Sequence, residues 1–363
     1  DGWFGKRDDD CSGLGDWFVS EEKLNGGLGK LAEKIKSLGM KFGLWFEPEM
    51  VSEDSDFYRS HPDWAIKIPS RNPVRSRYQL VLDMINPEVR DYLFGAISDI
   101  LKNADISYIK WDMNRSICDW YTPCLSAENQ GEMPHRYVLG LYELLERLTT
   151  AFPDVLFEGC SGGGGRFDAG MLYYCPQIWC SDDTDAFERT KIQYGTSFFY
   201  PVSAIGSHVS AVPNHQTGRI TPIETRAVTA MAGSFGYELD LNTLSHDEKQ
   251  EVKEQIVRFK KDGPLIHNGL YYRLSDSLND KYAMWGFVSE DKKEVLVHGV
   301  IFRTEPNRTQ YLAKLRGLLP DTNYRLAENG EVYKGSALMN GGILLPKSWG
   351  DYASIEMHFI SEA

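Results

Sequence analysis

The chain predicts an α/β fold: a (β/α)8 barrel followed by a C-terminal antiparallel β-sandwich. Three observations carry this prediction. Short apolar runs alternate with amphipathic helical spacing up to about residue 275. Beyond it the texture changes to Val-, Tyr- and Phe-rich runs separated by turn signals. Polar residues gather at the C-terminal ends of the early strands, where a barrel of this class carries its chemistry.

The segments 41–46 (KFGLWF), 79–83 (QLVLD) and 107–112 (SYIKWD) read as strands. The series continues with 155–159, 177–180 and 198–202, and more weakly with 227–230. Helical patterns fill the gaps. Leu28, Leu31, Ile35 and Leu38 share one face, and Gly39 follows as a stop. Asn86-Pro87 is an N-cap with a first-turn proline, leading into Val89, Leu93, Ile97 and Ile100. Tyr137, Leu141, Leu144 and Leu148 repeat the spacing, with Pro153 past the end. Repeated strand–helix alternation means parallel strands, because their crossovers are commonly helices. About seven such units over about 270 residues fit a barrel of ~250 residues better than an open sheet. No long helix is expected after 262. Turn signals at Asp291-Lys, Pro306-Asn, Pro320-Asp, Asn329-Gly and Asn340-Gly-Gly punctuate the sandwich. The predicted domains are 1–275 and 276–363.

Composition narrows the function. The chain has 363 residues, with 52 acidic and 39 basic side chains giving a net charge of −13. That excess argues against nucleic-acid or anionic-membrane partners, which need clustered cations. No apolar run approaches the ~20 residues that span a bilayer. Six cysteines without a C-x-x-C pair read as free thiols in a reducing, cytoplasmic setting. Eight histidines contain no HExxH, so no metal site and no cofactor are expected. Neither glycine-rich stretch makes a phosphate loop. Gly162–Gly165 lacks a following Lys-Ser/Thr, and in 26–30 (GGLGK) Leu24 and Leu31 stand where a glycine and a hydroxyl residue are needed.

The strand ends carry the chemistry. Alternation places Lys110, Asp112 and Asn114 on one face, and Trp45, Glu47 and Glu49 on another. The next ends supply Asp83, then Glu158 with Cys160, then Asp182, Asp183 and Asp185. One such carboxylate is ordinarily a helix cap or a solvent-facing residue. A succession of them is costly without a use. Paired carboxylates among aromatics are the equipment of a glycosidase, one attacking the anomeric carbon and the other protonating the departing oxygen. Composition alone leaves several pairs open.

Five motifs decide among them. Asp1–Asp10 (DGWFGKRDDD) with 14–17 (LGDW), then 43–50 (GLWFEPEM), 108–115 (YIKWDMNR), 160–166 (CSGGGGR) and 180–186 (CSDDTDA) resemble, in order, those of family 36 glycoside hydrolases, the α-galactosidases of the melibiose- and raffinose-hydrolysing type. The resemblance implies a retaining exo-α-galactosidase with Asp112 as nucleophile and Asp182 as acid/base. It implies that Asp1, Trp45, Arg77 and Lys110 hold galactose hydroxyls, and that Cys160, Gly162 and Gly163 line the space beside the 2-hydroxyl. Without Cβ atoms the glycine backbone approaches the ring closely and excludes a 2-acetamido group. Cys160 is expected to pack or donate weakly, since no histidine is near it in sequence. Trp3, Trp17, Trp45, Trp111 and Trp179 divide between sugar-facing walls and core.

The resemblance further implies a small oligosaccharide as substrate and, for the full-length protein, a homo-oligomer, a tetramer. Members carry a further Asp before the Asp-Gly-Trp and a β-sandwich ahead of it, so the resemblance implies that Asp1 stands where the first barrel strand is ending, that this first strand is truncated here, and that the chain is part of a longer enzyme. Three other readings compete: a galactosyl transglycosylase on the same scaffold, an α-N-acetylgalactosaminidase, and a non-catalytic sugar-binding fragment.

Overall fold

The computed structural model describes residues 2–307, 310–347 and 349–362 and consists of two compact units, Asp1–Ile178 and Trp179–Ala363. The first unit runs α1 (Gly27–Ser37), β1 (Gly43–Phe46), β2 (Met50–Ser52), α2 (Asp56–Ser60), β3 (Gln79–Val81), α3 (Pro87–Asn103), β4 (Tyr108–Trp111), α4 (Met133–Ala151), β5 (Leu156–Gly159), α5 (Ala169–Tyr174) and β6 (Gln177–Trp179), the last reaching the boundary. Strands β1, β4, β5 and β6 are parallel neighbours in that order, with Gly43 opposite Tyr108, Tyr108 opposite Leu156 and Glu158 opposite Gln177. This is the strand–helix alternation of a (β/α)8 barrel.

The helices form where their caps and faces require. Asn86 caps α3 by accepting the Glu88 N–H at 3.0 Å, Pro87 opens it, and Val89, Leu93, Ile97 and Ile100 are buried. On α4 the expected Tyr137, Leu141, Leu144 and Leu148 are all buried. Gly140 lies among them, and a Cβ there would stand 2.0 Å from the Met84 carbonyl oxygen, so only glycine permits this approach. Behind β1, the rings of Trp3 and Trp17 pack on Phe46 with centroids 5.1 and 5.3 Å away.

One expected strand lies elsewhere. The run beginning at Gln79 is a strand, but β3 pairs antiparallel with β2, Met50 opposite Val81, and stays out of the parallel series. Parallel pairing needs a crossover of a dozen or more residues, usually helical. Here α2 has five residues, and prolines 62, 69 and 73 interrupt the chain that follows.

The second unit continues with α6 (Ala186–Thr196), β7 (Ile205–Ser210), α7 (Ile223–Ala230), β8 (Ser234–Glu238) and α8 (His246–Asn268), and β7 and β8 are parallel. Three expectations are corrected here. Residues 198–202 are not a strand: Phe198 and Phe199 are exposed, and extended structure begins only at Ile205, beyond the donor-less Pro201. Residues 227–230 are the end of helix α7, which Pro222 precedes and Glu224 favours in its first turn. Helix α8 passes 262 and carries Pro264 inside it before stopping at Gly269.

The remaining elements are β9 (Leu270–Arg273), β10 (Tyr282–Val288), β11 (Glu294–Ile301), β12 (Leu312–Ala313), β13 (Asn323–Leu326), β14 (Val332–Lys334), α9 (Gly335–Asn340), β15 (Ile343–Leu344) and β16 (Ala353–Ser361). An antiparallel sheet in the order β14-β13-β16-β11-β10-β9 packs with the β12-β15 pair over a core that includes Val297, Tyr324, Leu338 and Phe359.

Candidate active site

Strand β4 points Ile109 and Trp111 into the core, so Lys110 and Asp112 take the opposite face. The backbone N–H of Asp112 donates to the Phe46 carbonyl at 2.8 Å, which aligns the two strand ends. The Asp112 side chain is buried, with three N–H groups aimed at it. Oδ2 accepts from Trp45 Nε1 at 3.1 Å and from Asn114 Nδ2 at 2.7 Å, while Oδ1 accepts from the Met113 N–H at 2.9 Å. Three donors converging on two oxygens fix the orientation of the carboxyl group.

Two further carboxylates stand behind it. Glu49 is fully buried and accepts from Trp111 Nε1 and the Tyr137 hydroxyl, each at 2.9 Å, and from Arg166 Nη1, also at 2.9 Å. Burial beside the Glu49 carboxylate pushes the Tyr137 phenol far up, which keeps it a donor. Glu47 accepts from Gln79 Nε2 at 3.0 Å and from Asn114 through Nδ2 at 2.7 Å and backbone N–H at 3.2 Å. Burial, then the Asp112 charge, raises its carboxyl to about 7.

The segment after β5 completes this side. Cys160 is buried and hydrogen-bonded to Asp112, and burial with that negative charge pushes its thiol well up. A protonated thiol packs and donates; it is no nucleophile. Gly162 and Gly163 follow with φ of 51° and 82°, the left-handed region that a side chain would strain. The Gly162 N–H donates to Asn114 Oδ1 at 3.2 Å, so the glycine turn is tied to the end of β4.

The first unit thus brings together Trp45, Asp112, Cys160, Gly162 and Gly163 of the expected set. Lys110 is in β4, its Nζ 3.7 Å from Glu158 Oε1. Arg77 is exposed at a left-handed turn before β3, within electrostatic reach of Glu47. Asp1 lies outside the described residues. Asp182 belongs to the second unit. Its Oδ1 accepts from Trp179 Nε1 at 3.1 Å, and it lines a cavity of about 450 Å³ with Thr184, Ser210, His215, Gln216 and Glu238. Its neighbours serve the fold. Asp185 caps α6 and is ion-paired to Arg219, and Asp183 accepts the Asp185 N–H at 3.0 Å. Trp3, Trp17, Trp111 and Trp179 are buried, whereas Trp45 is half-buried over Asp112.

The family model described as Melibiase matches residues 1–269, and the one described as the glycosyl hydrolase family 36 C-terminal domain matches 282–359. The chain belongs to the melibiase family. The chain is 56% identical over 359 residues to the bifunctional α-galactosidase/sucrose kinase AgaSK of Mediterraneibacter gnavus, covering 99% of itself and 38% of that protein. It is 49% identical over 355 residues to the α-galactosidase AgaA of Geobacillus stearothermophilus, covering 98% of itself and 49% of that protein. The crystal structure of AgaA superposes with a TM-score of 0.98 over 100% of this chain and 50% of that one, at 48% identity. A variant of AgaA has been solved in complex with raffinose. The chain therefore spans half or less of the length of these relatives, and it shares their (β/α)8 barrel with antiparallel C-terminal sheets. No helix among its described residues is long and apolar enough to cross a membrane.

The partners of the carboxylates are what sequence reasoning missed. Tyr137 reads as one more member of an apolar helix face, and Gln79 as part of a strand. Neither pattern carries a signal for a contact made far away in sequence.

Proposed function

We propose that the whole protein is a retaining exo-α-galactosidase that removes terminal α-galactosyl residues from oligosaccharides such as raffinose. The observation that carries this reading is the setting of Asp112: a buried carboxylate at a parallel strand's end, with three N–H donors on it and a glycine turn alongside. Family membership supports the choice of reaction, and the relative's raffinose complex supports the choice of substrate.

Asp112 is the nucleophile in this reading. One of its oxygens attacks the anomeric carbon and forms a β-galactosyl ester as the glycosidic bond breaks. Asp182, protonated, gives its proton to the departing oxygen and then takes one from the water that hydrolyses the ester. The family resemblance supports Arg77, Lys110 and Asp1 as the groups that hold the sugar hydroxyls, with Trp45 beside the ring and its one N–H kept on Asp112, and it supports exclusion of an acetamido group by the backbone at Gly162 and Gly163. We place the boundary between the catalytic barrel and the C-terminal sandwich near the 275/276 expected from sequence, moved ahead of β9, since Leu270–Arg273 pair with β10. Six cysteines carried as free thiols support a cytoplasmic setting, and the family resemblance supports a homo-oligomer.

The test is Asp112→Ala in the full-length enzyme. Hydrolysis of nitrophenyl α-galactoside should fall by at least about 10⁴-fold, as expected when a covalent nucleophile is removed. Added azide should restore turnover and yield β-galactosyl azide. Hydrolysis at the parent rate would refute the assignment.

A further inference from the structure

Asn114 has three polar groups on its side chain, and all three are engaged. One Nδ2 hydrogen goes to Asp112 Oδ2 and the other to Glu47 Oε1, each at 2.7 Å, and Oδ1 accepts the Gly162 N–H at 3.2 Å. Turning the amide over would set its oxygen against two carboxylate oxygens and its hydrogens against a donor. The chemistry therefore assigns the orientation. Glu47 Oε1 takes the Asn114 backbone N–H as well, so one oxygen pins both main chain and side chain of that residue. Its other oxygen is held by Gln79, and the side chain is 1% exposed.

We infer that Glu47 is a positioning residue for the nucleophile: its carboxyl group clamps Asn114, and Asn114 in turn holds Asp112 Oδ2 and the glycine turn. This inference rests on the reading of Asp112 as the attacking group. Without the clamp, rotation of Asn114 about its side-chain bonds takes from Oδ2 the shorter of its two N–H contacts. The attacking carboxylate then samples orientations in which no oxygen faces the anomeric carbon, and such misplacement is felt in the chemical step more than in ground-state binding.

The role asks for an acceptor at this point and not for a second negative charge. The charged groups facing Glu47 are Asp112 from the end of β4, Arg77 from the segment before β3 and Arg7 from the N-terminal segment. Burial and the Asp112 charge both oppose ionisation of Glu47. A neutral acid or an amide retains the lone pairs that Asn114 uses. Gln79 Oε1 is buried and unbonded among the described residues, so an amide at position 47 finds a partner there once Gln79 turns over.

The experiment compares three variants of the full-length enzyme on nitrophenyl α-galactoside. Glu47→Ala should lower kcat at least tenfold with KM within threefold of the parent. Glu47→Gln should keep both constants within threefold. Glu47→Asp, which retains the charge but withdraws the acceptor by one methylene, should resemble the alanine variant. A kcat for Glu47→Ala within threefold of the parent, a loss confined to KM, or a tenfold loss in Glu47→Gln would each overturn the inference. Failure of both the alanine and aspartate variants to show a cooperative thermal transition would overturn it too, since Glu47 would then be holding the fold. Azide rescue of Asp112→Ala is scored separately. Its absence removes the nucleophile assignment, whereas its presence beside a flat Glu47 series removes the positioning role alone.

Discussion

Glu49 shows how one buried residue ties distant parts of the chain to a site. Its two oxygens take N–H or O–H groups from Trp111 in β4, Tyr137 in α4 and Arg166 beyond the glycine turn. Neutral donors alone leave its charge unbalanced in a dry setting; the guanidinium supplies the balance. Arg166→Met, which keeps most of the volume, should therefore cost about 3–5 kcal/mol in urea unfolding, the range for a buried charge stripped of its partner. A cost under 1 kcal/mol would mean that the ion pair contributes nothing. At this scale the sequence was half legible. Period-two alternation put Lys110, Asp112 and Asn114 on one face and Trp45, Glu47 and Glu49 on another; Trp45 and Glu47 do meet Asp112 and Asn114, whereas Glu49, beyond the end of β1, turns to Trp111 and Tyr137 instead. The identity of each carboxylate's donors was not legible, because Tyr137 and Arg166 lie 88 and 117 residues from Glu49.

Elements were legible where their ends carry chemistry. The Asn86 cap and Pro87 start of α3 form as their residue types dictate, and the start of α8, which the sequence analysis did not single out, is built in the same way. There Ser245 Oγ accepts the Glu248 N–H at 3.2 Å while Glu248 Oε2 accepts the Ser245 N–H at 2.9 Å, a reciprocal cap. Ser245→Ala should destabilise the protein by about 1 kcal/mol, lowering the melting temperature with no change in KM. An unchanged melting temperature would show that α8 is held by packing alone. Where the ends are silent, local pattern misleads. A Val-Thr run in α7 has the look of a strand, yet Pro222 and the burial of nearly the whole segment make it a helix. Strand β3 was recognised and its partner was not, since pairing is decided by the length and kind of the connection rather than by the strand's own residues.

For the molecule as a whole, the change of texture near residue 275 and the run of strand-end carboxylates were enough to name the architecture. Stability across pH is also a whole-molecule property, and Glu47 contributes to it with a definite sign. Its folded carboxyl is raised to about 7 from 4.5, so the folded state binds more protons than the unfolded state between those values. The associated stability is fully present below about pH 4.5 and is lost as pH rises through 7, on the order of 3 kcal/mol in all. Glu47→Gln, which cannot ionise, should accordingly gain relative to the parent as pH goes from 5 to 8, measured by urea titration at each pH. A constant difference between the two would contradict the linkage.

The fully engaged Asn114 amide has one more consequence. Water around a dissolved carboxylate must swing round each time charge leaves or returns, and that reorientation is a large part of the barrier in solution. If Asp112 is the nucleophile we propose, the dipoles around it already face their final direction before any sugar would arrive, anchored by the fold itself. Their cost was met once, when the chain folded, and need not be met again at every turnover.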